Sequence, residues 1–114
     1  AFFLTYIQNG IIMIKKGVLI MDKVRVKITE ITDMSFPVFV IAELEDSEGT
    51  VHLFCDKLPV FSADYNISVP CDAEMRCIVT EVKENTIVID TLTPDSIESV
   101  EGKHKFEIHK TELI

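Results

Sequence analysis

The chain has 114 residues, of which 47% are hydrophobic and 26% charged, enough apolar material for one packed core without disulfide or metal staples. Its net charge is −8, from 19 acidic against 11 basic side chains, and such a surface repels phosphate backbones and so argues against a general nucleic-acid binder. Four glycines, four prolines, no internal repeat and no uninterrupted apolar run of about 18 residues exclude a solenoid, a low-complexity linker and a helical membrane span.

Residues 1–20 differ from the rest. They hold no acidic residue and two lysines, so residues 21–114 carry all 19 acids against nine basic residues, a net of −10. Two expectations compete for this segment. Asn9-Gly10, between FFLTYIQ and IIMIKKG, is strong two-residue turn chemistry and predicts a hairpin that covers apolar residues of the main body. Alternatively, the Lys15 to Ile20 run back-translates as an A-rich stretch, GGAG and a spacer before the Met21 codon. That resembles a bacterial ribosome-binding site read as protein, with translation starting at Met21. The lysines follow the apolar stretch, which makes it a poor secretory signal.

Lys23 to Ile31 alternates as a strand does, with Val24, Val26 and Ile28 on one side and Lys23, Arg25 and Lys27 on the other. Phe36 to Phe61 reads as a long hairpin around a four-residue loop, Asp46-Ser47-Glu48-Gly49. In that register Leu44 faces Val51, Ala42 faces Leu53 and Val40 faces Cys55, all on the core side. The second side carries Phe39, Ile41 and Phe54, with Glu43 opposite His52. Large apolar residues on a side that should be wet imply a cover: the N-terminal segment, a second layer or another molecule.

Ser62 to Asp72 has loop character, with Tyr65 and Ile67 as its packing residues. Glu74 to Val82 and Thr86 to Leu92 predict a second hairpin with Lys83-Glu84-Asn85 as its loop. That register sets Val79 against Ile89 and Cys77 against Thr91, and it turns Met75, Cys77, Val79, Ile87 and Ile89 inward. Lys105 to His109 is a last short strand with Phe106 and Ile108 on one side, and Leu113-Ile114 docks an apolar end.

The inventory predicts an all-β fold, a small five- to six-stranded antiparallel barrel or sandwich with little helix, over residues 21–114. The order of strand, long hairpin, loop and second hairpin over residues 22–92 resembles the oligonucleotide/oligosaccharide-binding (OB) barrel. Asp56 to Phe61, and Ile97 to Lys103 leading to Phe106, also resemble parts of small acidic bacterial proteins without assigned function. Neither likeness supplies site residues, and a fold does not fix a function.

Chemistry is sparse. Cys55, Cys71 and Cys77 are an odd set with no CxxC, which suits a reduced, cytoplasmic setting, and Cys55 and Cys77 fall on expected inward positions. Cys71, Cys77, His104 and His109 match no familiar zinc spacing, so no metal or cofactor is expected. His52, Cys55 and Asp56 are too close along one strand to form a triad. His104 and His109 read as surface histidines, and Glu81 and Asp90 as carboxylates on opposite sides of the second hairpin. With no phosphate loop, HExxH or GxSxG, no catalytic residue is assigned.

The expectation is a non-catalytic, acidic, cytoplasmic interaction module. Its docking side would hold Phe39, Ile41, Phe54, Glu43, Glu45, Asp46 and Glu48, and its partner would be a basic protein, such as a toxin neutralised by an immunity-type protein, or a second copy in a homodimer. One alternative is an OB-type binder of single-stranded nucleic acid or oligosaccharide, with Arg25, Lys27, Phe39 and Phe54 in contact. An uncharacterised enzyme is the other.

Overall fold

The computed structural model describes residues 3–7, 11–15 and 20–114. Eight strands follow in chain order: β1 (Phe3–Ile7), β2 (Ile11–Lys15), β3 (Ile20–Asp33), β4 (Phe39–Glu45), β5 (Val51–Lys57), β6 (Cys71–Val82), β7 (Thr86–Asp90) and β8 (Lys105–His109). The last six form one antiparallel sheet in the order β5-β4-β3-β6-β7-β8, curled into a half-barrel, so the fold is all-β as its alternating pattern implies. Besides the strands there are, among the described residues, two 3-10 turns, Leu58–Val60 and Lys110–Glu112. Among the described residues no helix is long and apolar enough to cross a membrane.

β3 is the spine. Its first nine residues pair with β6, from Ile20↔Val79 to Ile28↔Cys71, and its second half pairs with β4, from Lys27↔Glu43 to Asp33↔Phe39. Register shifts between Ile28 and Glu30 and between Ile31 and Asp33 let one strand serve both neighbours, because a bulge bends a strand and raises its twist. The expected alternation holds: Val24, Val26 and Ile28 are buried, while Lys23, Arg25 and Lys27 are exposed.

The concave side carries the core: Val40, Ala42 and Leu44 of β4, Phe54 of β5, Met75, Cys77 and Val79 of β6, Ile87 and Ile89 of β7, and Phe106 and Ile108 of β8. Leu58, Phe61, Ile97 and Leu113, from the connections, close its open sides. Fully burying such a side chain stabilises by about 1.5–3 kcal/mol each, which is why connections with one large apolar residue are drawn into the barrel. β5 and β8, the two sheet edges, do not pair. Instead Ser47 N–H donates to Glu107 O (2.8 Å) and Val100 N–H to Leu53 O (2.8 Å), and Phe106 meets the edge of the Phe54 ring at 5.6 Å.

Several expectations are corrected. The first hairpin turns through five residues, and its register is Glu45↔Val51, Leu44↔His52, Glu43↔Leu53, Ala42↔Phe54, Ile41↔Cys55, Val40↔Asp56 and Phe39↔Lys57. Phe54 therefore points inward, opposite to Phe39 and Ile41, while Val51, Leu53 and Cys55 point out. The cause is the Asp46 carboxylate, which organises the longer turn as described below.

In the second hairpin Val79↔Ile89 pairs as expected and the five inward residues are buried. A bulge between Val79 and Glu81 then sets Glu81 against Val88 and Val82 against Ile87, so Glu81 shares the outward side with Asp90. β6 starts at Cys71, earlier than expected. Ile67 packs on the core, but Tyr65 stands 55% exposed.

Near the N-terminus β1 pairs with β2 as a separate antiparallel ribbon, Phe3↔Lys15 to Ile7↔Ile11, and β1 approaches β6, two strands away from β4. Asn9-Gly10 lies outside the described residues.

Candidate docking face on the first hairpin

Asp46 closes the turn between β4 and β5. Its Oδ1 accepts from the N–H groups of Glu48 (2.9 Å) and Thr50 (3.0 Å), and its Oδ2 lies 2.8 Å from Nε2 of His52. Asp46 N–H donates to Thr50 O, and Gly49, at φ +84, donates to Asp46 O. A side chain bearing a Cβ would be strained at that φ. His52 is thereby held inward, its ring 4.7 Å from that of Phe106. Burial works to raise the Asp46 pKa, but the hydrogen bonds from His52, Thr50 and Glu48 outweigh it and hold the carboxyl below its ordinary value.

Turning Phe54 and His52 inward leaves an outward face made of two rows. β4 supplies Phe39, Ile41, Glu43 and Glu45, and β5 supplies Val51, Leu53, Cys55 and Lys57. Val51 is 49% and Leu53 38% exposed, and Val100, tied by its N–H to Leu53, is 62% exposed beside them. Glu45, with Glu43 one pair further in, stands at the turn end, and Glu48 is exposed on the turn itself. Lys57 stands at the opposite end, with Nζ 6.0 Å from the Phe39 ring centroid and 3.8 Å from Asp56 Oδ1.

Of the residues expected on a docking side, Phe39, Ile41, Glu43 and Glu45 share this face. Phe54 is corrected to the core. Asp46 is engaged within its turn, and Glu48 is at the tip. Val51, Leu53, Lys57 and Val100 complete the surface; the four-residue register turns Val51 and Leu53 to the core side and gives Lys57 and Val100 no place. Asp46 three residues before a glycine, with Thr50 and His52 following, is the local signal for the longer turn.

The basic stripe of β3 is interleaved with carboxylates: Arg25 faces Glu74, and Lys27 faces Asp72 on one side and Glu43 on the other. Lys23 reaches Glu74 at 3.5 Å. Arg25 and Lys27 line an open groove of about 420 Å³ together with Glu43, Glu45, Asp72 and Glu112. Four carboxylates against two cations leave this groove net negative. Of the aromatic pair expected beside the stripe, only Phe39 is on an outward face.

The remaining reactive side chains are placed elsewhere. Cys55 is exposed, which corrects its expected inward position, and Cys71 is half-buried. Cys77 is buried, and that burial, with the nearby Asp22 charge, pushes its thiol up to about 12. His104 is half-buried rather than a free surface residue, its Nδ1 2.9 Å from Asp90 Oδ1, whereas His109 is exposed. Asp90 is held below its ordinary value: burial opposes ionisation, but the Leu92 N–H, His104 and Lys105 outweigh it. This pair, with Thr91 Oγ1 donating to Ile97 O at 2.7 Å, anchors the connection from β7 to β8.

Family models, curated proteins and solved structures were compared with this chain, and none matches.

Proposed function

We propose that the protein is a non-catalytic docking module that binds a protein partner through the outward face of β4 and β5. The observation that supports it is the exposure of Val51 and Leu53 on one face with Ile41 and Phe39, with Glu45 and Glu43 of β4 beside Val51 and Leu53 and Glu48 on the turn. Contiguous apolar surface with a charged border is the anatomy of a recognition surface, apolar at its centre and polar at its rim. The partner this face fits is apolar where it meets Leu53 and positive where it meets Glu45. A basic protein whose cleft is occupied, as in an immunity-type complex, has that chemistry. Both histidine–aspartate pairs hold turns in place, which leaves them a structural role.

The test is a photo-crosslinking residue installed at Leu53 in the producing cell, with Lys83 as an exposed control outside this face. A docking face gives a discrete adduct from position 53, absent from position 83, that Glu43→Lys/Glu45→Lys abolishes. Equal labelling from both positions, or none from 53, overturns the reading.

A second reading has its own support. The strand order β5-β4-β3-β6-β7, with a long bulged β3 shared by two neighbours, is the order of the five strands in an OB barrel, and Arg25, Lys27 and Phe39 lie on outward positions. On this reading the chain is retained by single-stranded DNA at low salt and released steeply as salt rises. The carboxylates beside Arg25 and Lys27, and the burial of Phe54, are why the protein-docking reading is placed first.

A further inference from the structure

The two sides of β5 compete for the core. Val51, Leu53 and Cys55 point out, yet each is a residue that a core accepts, while the inward side holds His52 and Phe54. Conflict between a local pattern and the packing adopted marks a place where two packings of the same residues compete. The adopted one is held at the turn by the Asp46 carboxylate, which meets Glu48 N–H, Thr50 N–H and His52 Nε2, and across the seam by the Phe54–Phe106 ring contact at 5.6 Å.

We infer that the β4–β5 hairpin is a two-register switch, latched by Asp46, that displays Val51 and Leu53 in one register and Phe54 in the other. In the second register Asp46 to Gly49 form a four-residue turn, Leu44 faces Val51, Glu43 faces His52 and Ile41 faces Phe54. Val51, Leu53 and Cys55 then enter the core, and Phe54 joins Phe39 and Ile41 outside. An aliphatic docking face is exchanged for an aromatic one. The consequence for docking rests on the docking-module reading, whereas the register change itself does not.

The fold permits the slip. β5 is a sheet edge, so its ladder is shared with β4 alone and re-forms after a shift of one residue. Across the seam the shift breaks two backbone bonds, Ser47 N–H to Glu107 O and Val100 N–H to Leu53 O. At the far end Leu58 stays in the core with its N–H on Val38 O, and the extra residue is taken up beside it as a bulge. Irregularities of that kind already interrupt the β3–β4 and β6–β7 ladders. A partner bound to Val51 and Leu53 holds the first register, and loss of the Asp46 acceptor moves the balance to the second.

The experiment compares the full chain with Asp46→Ala and with Asp46→Ala/His52→Lys. A lysine at position 52 is buried against Phe106 in the first register but stands outside, opposite Glu43, in the second. Timed alkylation read by peptide mass spectrometry is expected to show Cys55 labelled about tenfold or more slowly in the double variant than in the natural chain, with a cooperative melt retained. Fluorine NMR of chains carrying fluorophenylalanine, with the Phe54 signal assigned by Phe54→Leu, reads the same switch without a charge in the core. Saturation transfer is expected to link that signal to a solvent-exposed second one, about tenfold more populated in Asp46→Ala. The proposal is overturned by a folded double variant that labels Cys55 at the natural rate, by a double variant with no cooperative melt, or by a single Phe54 signal in both the natural chain and Asp46→Ala. If the registers exchange while position 53 of the natural chain yields no adduct, the docking reading falls and the switch stands. If they do not exchange while the adduct forms, the switch falls and the docking reading stands.

Discussion

The Oδ2 atom of Asp46 and the Nε2 atom of His52, six residues apart, are 2.8 Å from each other, and this pair determines which way every residue of β5 faces. Holding His52 toward Phe106 requires a turn of five residues, and a turn of five sends Phe54 into the core and Val51, Leu53 and Cys55 to the surface. Because side chains on a strand alternate, one residue more or less in the turn inverts the whole strand.

Removing the Asp46 carboxylate leaves the N–H groups of Glu48 and Thr50 and the His52 ring without their acceptor. Asp46→Ala is expected to destabilise the fold by about 1–3 kcal/mol, whereas Glu48→Ala, at the exposed tip, changes stability by about 0.5 kcal/mol or less. Urea denaturation of the two variants measures both. Equal effects would mean that the turn does not depend on this carboxylate.

The register makes an opposed pair of predictions on adjacent residues. Phe54→Ala opens a cavity in the core and is expected to cost about 3–5 kcal/mol. Leu53→Ala removes a side chain that faces water and is expected to cost about 1 kcal/mol or less. A four-residue turn would reverse the order of the two, so their denaturation midpoints decide between the registers.

Acid should unfold the protein partly through Asp46 and Asp90. Both carboxyls titrate lower in the folded chain than their ordinary 3.8, so between the folded and unfolded values the unfolded state binds more protons. Their contribution is fully present above about pH 4 and is lost as pH falls through the folded values. A plot of melting temperature against pH should therefore decline on the acid side, and Asp46→Asn/Asp90→Asn should flatten that decline. An acid limb of unchanged slope in the double variant would remove these two groups as its cause.

The cysteines should separate by reactivity. In the native protein a thiol-alkylating reagent is expected to label Cys55 readily, because it is exposed, and Cys77 only after unfolding, since it is buried with its thiol pushed up to about 12. Mass spectrometry of peptides from a timed alkylation reads the order. Early labelling of Cys77 would contradict its burial.

The composition and the two-residue periodicity of this chain are sufficient for its class and for most of its core. Val24, Val26 and Ile28, Met75 with Cys77, and Phe106 with Ile108 each lie on strand segments that are polar on one side and apolar on the other, so only one orientation buries them. β5 lacks that asymmetry. In Val51-His52-Leu53-Phe54-Cys55 both alternating sets contain a good core residue, so the pattern alone prefers the side with three apolar residues over the side with Phe54. What reverses the preference is the Asp46 turn together with a non-local contact: Phe106 arrives from β8, fifty-two residues after Phe54 in the chain, and offers its ring to Phe54 and His52 at once.

The docking face inherits the same division. Glu43, Glu45, Phe39 and Ile41 are legible from the sequence as one side of β4, because Glu43 and Glu45 mark the outward side and alternation carries Phe39 and Ile41 with them. Their neighbours Val51, Leu53 and Lys57 are brought beside them only by the Asp46 turn, and Val100 only by its hydrogen bond to Leu53 O across the seam. Local alternation determines which residues of one strand travel together. Which rows from different strands come to lie side by side depends on turn length and on contacts between residues far apart in the chain, and the folded barrel alone decides it.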